Sequence, residues 1–207
     1  ETLAAAMVQL SFWKAGRLLV DPCCGSGTIP IEAAMIGRNI APGLNRKFAS
    51  QEWDIIPPEI WKEERKAAFE AIDYDADIRI EASDISGRAV EAAIENAAEA
   101  GVDDCVEFKK MDMARLTAEE EGGIVITNPP YGERIGEKKQ IEAIYSAYNE
   151  FYRKNPTWSL FMVTTDKEVE NKIFGRPADR RRKLYNGRLE VCYYQFHGQK
   201  PGRKQEK

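Results

Sequence analysis

Asn128-Pro129-Pro130-Tyr131 is the sharpest chemical signal in the chain. Two prolines fix the backbone rigidly at the end of an apolar run. Asn128 offers a side-chain carbonyl, Pro129 a main-chain carbonyl with no N–H of its own, and Tyr131 a flat ring. An exocyclic amine on an aromatic base is a poor nucleophile, because its lone pair is delocalised into the ring. Two acceptors holding its N–H groups favour the tetrahedral nitrogen that forms as a methyl group arrives, which is preorganisation toward the transition state. A ring beside them can stack on an extruded base and offset an unstacking cost of a few kcal/mol. If the methyl comes from a sulfonium, the leaving group is a neutral thioether and little acid or base help is needed. The chain's single histidine, His197, agrees with that. The plain alternative is a Pro-Pro loop that merely ends a strand.

A second constellation is Asp21-Pro22-Cys23-Cys24-Gly25-Ser26-Gly27-Thr28. Glycines here let the chain turn sharply and approach a ligand closely, and a following helix adds unpaired N–H donors. A dinucleotide fingerprint would want a third glycine where Pro30 stands, and a phosphate-binding P-loop would want Gly-Lys-Ser/Thr. The loop fits neither; it can also be read as a tight turn with no ligand. Asp84 follows a second apolar run, where a carboxylate can accept both hydroxyls of a ribose. It lies 57 positions after Gly27, against a usual separation of about 20, so that reading requires an insertion over residues 37–77. Asp84 can equally be the N-cap of the next helix. Asp112 can accept from an adenine amino group or can be a turn residue.

These residues need a frame. Residues 17–20, 79–83, 106–111, 123–127 and 158–164 read as strands, most of them ending just before a candidate site residue. Helical patterns cover residues 1–8, 29–35, 58–72 (with Pro58 in its first turn), 86–100 (stopped by Gly101) and 141–152. Asn186-Gly187 sits between residues 183–185 and 189–196 as a hairpin turn. Repeated strand–helix units predict an α/β fold, a parallel sheet with helices on both faces, closed by an antiparallel hairpin.

The 207 residues fit one domain, and 43% hydrophobic with 31% charged content is globular. No apolar run reaches the roughly 20 residues of a membrane span, and no secretory leader is expected. Cys23, Cys24, Cys105 and Cys192 contain no C-x-x-C pair, so no metal site is expected, and free thiols fit a reducing cytoplasm. With one histidine a Ser-His-Asp triad has no support. Trp13, Trp53, Trp61 and Trp158 read as packing residues. The net charge of −4 is uneven: residues 172–207 carry 11 Lys+Arg against 3 Asp+Glu, and the rest 19 against 31. A basic end on an acidic body can meet phosphates, or can be a solvated hairpin with a frayed tail. The opening Glu1, inside a helical pattern, is expected to mark a domain excised from a longer chain.

Together these motifs resemble the class I S-adenosylmethionine (SAM)-dependent methyltransferases. More closely, the chain is similar to a bacterial RNA methylase family whose members carry an N-terminal THUMP domain, and which includes the large-subunit ribosomal RNA guanine-N2 methyltransferases. The resemblance rests on Glu1-Thr2-Leu3-Ala4-Ala5, the Asp21 to Thr28 loop, Ala82-Ser83-Asp84-Ile85, Asp112-Met113 and Asn128 to Arg134. Cys23 departs from the larger apolar residue usual in the family. The resemblance implies a Rossmann-like, seven-stranded, mostly parallel sheet with an antiparallel last strand; the domain is expected over residues 1–198, and low complexity makes 199–207 an expected basic, disordered tail. It implies SAM as cofactor, with Asp21, Cys24, Gly25, Ser26 and Gly27 at its methionine end. Asp84 and Ile85 would serve the ribose, Asp112 and Met113 the adenine, and Asn128, Pro129 and Tyr131 the target amine, Asn128 also bordering the donor. The implied function is methylation of guanine N2 in structured RNA, ribosomal RNA before tRNA. The alternatives are DNA adenine-N6 or protein glutamine-N5 methylation, or a SAM- and RNA-binding module without catalysis.

Overall fold

The computed structural model describes residues 1–131 and 137–200. Gly132, Glu133 and Arg134 of the resembling motif, and residues 201–207 of the expected tail, lie outside the described residues. Seven strands form one sheet: β1 (Leu19–Asp21), β2 (Ile80–Asp84), β3 (Val106–Lys110), β4 (Ile124–Thr127), β5 (Ser159–Thr164), β6 (Arg180–Asn186) and β7 (Leu189–Phe196). Their order is β3-β2-β1-β4-β5-β7-β6. β1 pairs in parallel with both β2 and β4, whereas β7 runs antiparallel to both β5 and β6. The expected mostly parallel sheet with an antiparallel closing hairpin is what folds. The order reverses between β1 and β4, and that switch point opens a crevice beyond the strands' carboxyl ends.

Local chemistry explains the elements. β4 and β5 are buried along their whole length, as a central strand covered on both faces requires, and their Ile, Val, Leu, Phe and Met content follows. Helices are α1 (Thr2–Leu10), α2 (Thr28–Gly37), α3 (Pro58–Glu70), α4 (Gly87–Ala100), α5 (Glu137–Lys154) and α6 (Val169–Ile173). Ser86 caps α4 by accepting from the Ala89 amide at 3.4 Å, and Gly101, at φ +72°, ends it. α6 is too short to leave a helical period in the sequence. One core lies under α1, α2 and α4, the other under α5 and α6. β7 alternates between them: Tyr193 joins the first core and donates to the Met7 carbonyl at 2.7 Å, and Tyr194 joins the second.

The segment over residues 37–77 folds largely against itself, and its Arg46 pairs with Glu1 at 2.6 Å. Phe48 stacks on Trp61 with ring centroids 5.9 Å apart, and Arg65 donates to the Leu44 and Arg46 carbonyls, each at 3.0 Å. It lines none of the crevice described below. Trp13 and Trp158 are buried as read from sequence, while Trp53 is 57% exposed.

Candidate active site

The carboxyl ends of β1, β2 and β4 bring the three motifs together. A cavity of about 430 Å³ opens there, within the size range of small-molecule sites. Gly25 from the first loop, Asp84 and Ile85 after β2, Asp112 and Met113 after β3, and Asn128 after β4 all line it. Its remaining wall is one face of α5: Gln140, Ala143, Ile144 and Ala147. Nothing in the sequence reading singled these out. Their signal is helical spacing of small and apolar residues on the helix that follows the Asn-Pro-Pro corner. Pro22, Cys23, Ala114 and Pro130 also border the cavity without having been assigned a role.

The glycine loop is held from two sides. Cys24 N–H donates to the Ser83 carbonyl at 2.9 Å, Gly25 N–H to Asp84 Oδ2 at 3.1 Å, and Asn96 Nδ2, from α4, to the Ser26 carbonyl at 2.9 Å. Gly27 adopts φ +84°, and a Cβ on it would stand 2.9 Å from that of Ala93, so only glycine allows α2 to pack this closely on α4. At Gly25, φ is +55° and a Cβ would meet nothing within 4 Å. Its side faces open space, which is the shape a loop needs to pass a ligand along its backbone.

Asp84 is not the cap of α4, since Ser86 is; its Oδ1 accepts from the Ser86 amide at 2.8 Å while Oδ2 faces Gly25. Asp112 is a turn residue, its Oδ1 accepting from Ala114 N–H at 2.9 Å, and it also faces the cavity. Asp21 lies behind the loop, 1% exposed, with Oδ1 accepting from the Cys23 amide at 3.2 Å. Burial raises its carboxyl to about 7, against the opposing effect of hydrogen bonds from Thr127 and Cys23; the charge of Asp84 pushes in the same direction as burial. Burial likewise pushes the Cys23 thiol up to about 12, so it is no nucleophile.

Other expected site residues lie off the cavity surface. Cys24 is buried in the first core, Ser26 is exposed, Pro129 is buried, and Tyr131 is half-buried against the first core. In a shallower hollow of about 440 Å³ at the opposite, amino ends of the strands, Arg79 is paired to Glu120, Asp104 to Arg38 and Glu107 to Lys109. No cluster of three metal-ligating side chains occurs among the described residues, and no described helix is long and apolar enough to cross a membrane. On the basic hairpin, Arg181 is tied by both its Nε and Nη2 to the buried carboxylate of Glu170, and Lys183 to Glu190 at 2.6 Å. Arg180 is exposed and makes no ion pair among the described residues.

Strand order, antiparallel β7 and a crevice built from a glycine loop and an Asn-Pro-Pro corner define a Rossmann-like SAM-dependent methyltransferase. The model of the RMKL-like methyltransferase domain family matches residues 1–195, and the chain belongs to that family. It is 47% identical over 205 residues to YpsC of Bacillus subtilis (strain 168), covering 99% of this chain and 53% of that protein. It is 38% identical over 205 residues to the "Ribosomal RNA large subunit methyltransferase K/L" of Shewanella baltica (strain OS185), covering 95% of this chain and 29% of that one. Among solved structures, SMU.472 complexed with SAH superposes with a TM-score of 0.91 at 46% identity, over 96% of this chain and 52% of that one. The chain thus spans about half the length of YpsC and of SMU.472, and less of the K/L protein. The cavity accommodates SAM as its cofactor: open space at Gly25, and carboxylates from β2 and β3 around one hollow, match a nucleoside carrying a cationic tail.

Proposed function

We propose that this chain is the methyl-transfer domain of an RNA methyltransferase that modifies the exocyclic N2 of guanine in structured RNA, large-subunit ribosomal RNA first. The observation that carries the proposal is that Asn128 and Pro130 share one cavity with Gly25, Asp84 and Asp112. Bound SAM would supply a methyl group activated by its sulfonium, whose departure leaves a neutral thioether. Asp84 would accept from the ribose hydroxyls with Ile85 beside it. Asp112 and Met113 would hold the adenine, and Asp21 with residues 24–27 the methionine end. The Asn128 side-chain oxygen and the Pro129 carbonyl would take the two hydrogens of the target amine and draw its nitrogen toward tetrahedral geometry. Tyr131 is carried as the platform for the extruded base.

Three points favour RNA. The K/L relative is named for ribosomal RNA, the C-terminal hairpin is basic with Arg180 exposed, and the motif wording resembles the RNA enzymes. The full-length protein would bring an upstream THUMP domain to the same RNA. The test is to incubate the full-length parent with methyl-labelled SAM and, separately, ribosomal RNA, tRNA and DNA, then digest to nucleosides. Label in N2-methylguanosine from ribosomal RNA is expected. Label in N6-methyladenine from DNA refutes the polymer and the atom together.

A further inference from the structure

The walls of the cavity are joined behind its surface by a chain of buried hydroxyls that the proposed chemistry does not use. Tyr148 of α5 is fully buried and donates its hydroxyl to Thr127 Oγ1 at 3.3 Å. Thr127, also fully buried, is the last residue of β4, and its hydroxyl acts on the Asp21 carboxyl at the end of β1, favouring its ionised form against burial. Cys23 closes the circuit: its amide donates to Asp21 Oδ1 at 3.2 Å, and its Sγ lies 4.0 Å from the Tyr148 hydroxyl. With the Tyr148 hydrogen committed to Thr127, the thiol is the donor of that last contact. Every hydrogen in the ring then points, directly or in succession, at one carboxyl. The three segments it joins each present cavity-lining residues: Cys23 and Gly25, Asn128, and Ala143 to Ala147.

We propose that Cys23, Tyr148, Thr127 and Asp21 form a positioning circuit that ties the arrival of a cationic donor in the cavity to the placement of Asn128, the residue after Thr127. This rests on the SAM-dependent reading above. Its physical basis is direction. Donors in series toward Asp21 suit a carboxylate. A carboxyl that carries its proton toward Thr127 must instead donate, which displaces the Thr127 hydrogen from that line while its oxygen still accepts from Tyr148. The groups facing Asp21 are Asp84 from β2, Thr127 from β4, Tyr148 from α5 and the two thiols of its own loop. Burial lifts Cys23, Cys24 and Tyr148, so all three keep their protons at neutral pH. A cation entering beside this set favours the ionised carboxylate. The carboxyl O–H bond breaks, the proton passes to the buffer, and the carboxylate tightens its hold on Thr127. Thr127 and Tyr148 are thus positioning residues, acting through Asp21 and Asn128.

Calorimetry of SAM binding to the full-length protein between pH 6 and 8.5, in buffers of different ionisation heat, counts the released proton. From Asp21 the parent should release close to one proton at pH 6 and almost none at pH 8.5. Its affinity should rise up to about tenfold per pH unit below pH 7 and then level. Thr127→Val keeps the shape and removes the donor. It should weaken SAM about tenfold or more and move proton release to higher pH, and at saturating SAM its methyl-transfer rate should stay below the parent's. Thr127→Ser should restore all three. Should the valine variant not fold, Tyr148→Phe, which unorients Thr127, should shift proton release the same way by less. A parent that binds no SAM sinks the methyltransferase reading and this circuit with it. A parent that binds SAM, with variants of unchanged pH profile and proton count, overturns the circuit alone.

Discussion

Asp84 divides its two oxygens between backbone and cavity, and substitution there separates two roles. Its Oδ2 accepts from Gly25, 59 residues away in sequence, and its Oδ1 from Ser86. Asp84→Ala removes both acceptors. The Ser86 amide is at an exposed residue and finds water; the Gly25 amide is part-buried, so the cost in stability is about 1–2 kcal/mol. For a chain of this size that lowers Tm by about 3–6 °C. If the carboxylate also takes two ribose hydroxyls, each charge-assisted bond contributes about 1.5–3 kcal/mol. Even with incomplete additivity, SAM affinity should fall by at least about a hundredfold. Asp84→Asn isolates the second role: its amide oxygen can still accept from one backbone N–H, but the group has lost its charge and one acceptor. It should melt within about 3 °C of the parent and bind SAM at least about tenfold more weakly. Scanning calorimetry reads the first quantity and titration calorimetry the second. If the asparagine variant binds SAM as tightly as the parent, the carboxylate only anchors the loop, and the ribose assignment fails.

Three further outcomes follow from the same geometry. Asn128→Ala, at an exposed position on the cavity wall, should leave SAM affinity within about threefold while lowering the methyl-transfer rate at least about a hundredfold; transfer at the parent rate would remove it from the amine site. Arg181→Ala strips the partner from the buried Glu170 and should lower Tm by several degrees, whereas Arg180→Ala should change Tm by no more than about a degree. In RNA binding the order inverts, with only Arg180→Ala making the salt dependence shallower, by about 0.7–0.9 in slope; equal slopes would assign no phosphate to Arg180. Asp21, raised by burial to about 7, holds its proton more tightly folded than unfolded. Its contribution to stability is therefore full below its unfolded pKa and is lost as pH rises through about 7, at up to about 1.4 kcal/mol per pH unit. Asp21→Asn should remove that loss, so its urea midpoint should gain on the parent's between pH 5 and pH 8, and a pH-independent difference would contradict it.

What the sequence determined by itself is local. Gly101 and Gly187 mark boundaries because few residues accept a left-handed backbone, although the hairpin turns one residue later than read, at Gly187-Arg188, with Asn186 closing β6 opposite Leu189. Most strands were legible from apolar runs and α3 from Pro58 at its first turn, whereas β6 was read only at residues 183–185 because Arg180 to Arg182 give it no apolar run. The site loops were legible for the same reason, since a glycine bend and a Pro-Pro corner announce backbone constraints whatever surrounds them. The resemblance implied seven strands with an antiparallel last one; the sheet order, with β7 between β5 and β6, was written in no periodicity of the strands and was decided by the fold. Tertiary structure decided what depends on distant segments meeting. Only the crossover after β4 makes Ala143, Ile144 and Ala147 a cavity wall instead of an ordinary apolar stripe. Only the packing of α5 brings Tyr148 to Cys23, 125 residues away. The run of Arg180, Arg181 and Arg182 reads as one basic cluster in sequence. In the fold, a buried Glu170 from α6 takes Arg181 into an ion pair, Arg180 stays exposed without one among the described residues, and Arg182 is half-buried. A carboxylate's charge, and a cation's availability, are set by what stands across from them, and in a sheet built by crossovers those neighbours are remote in the chain.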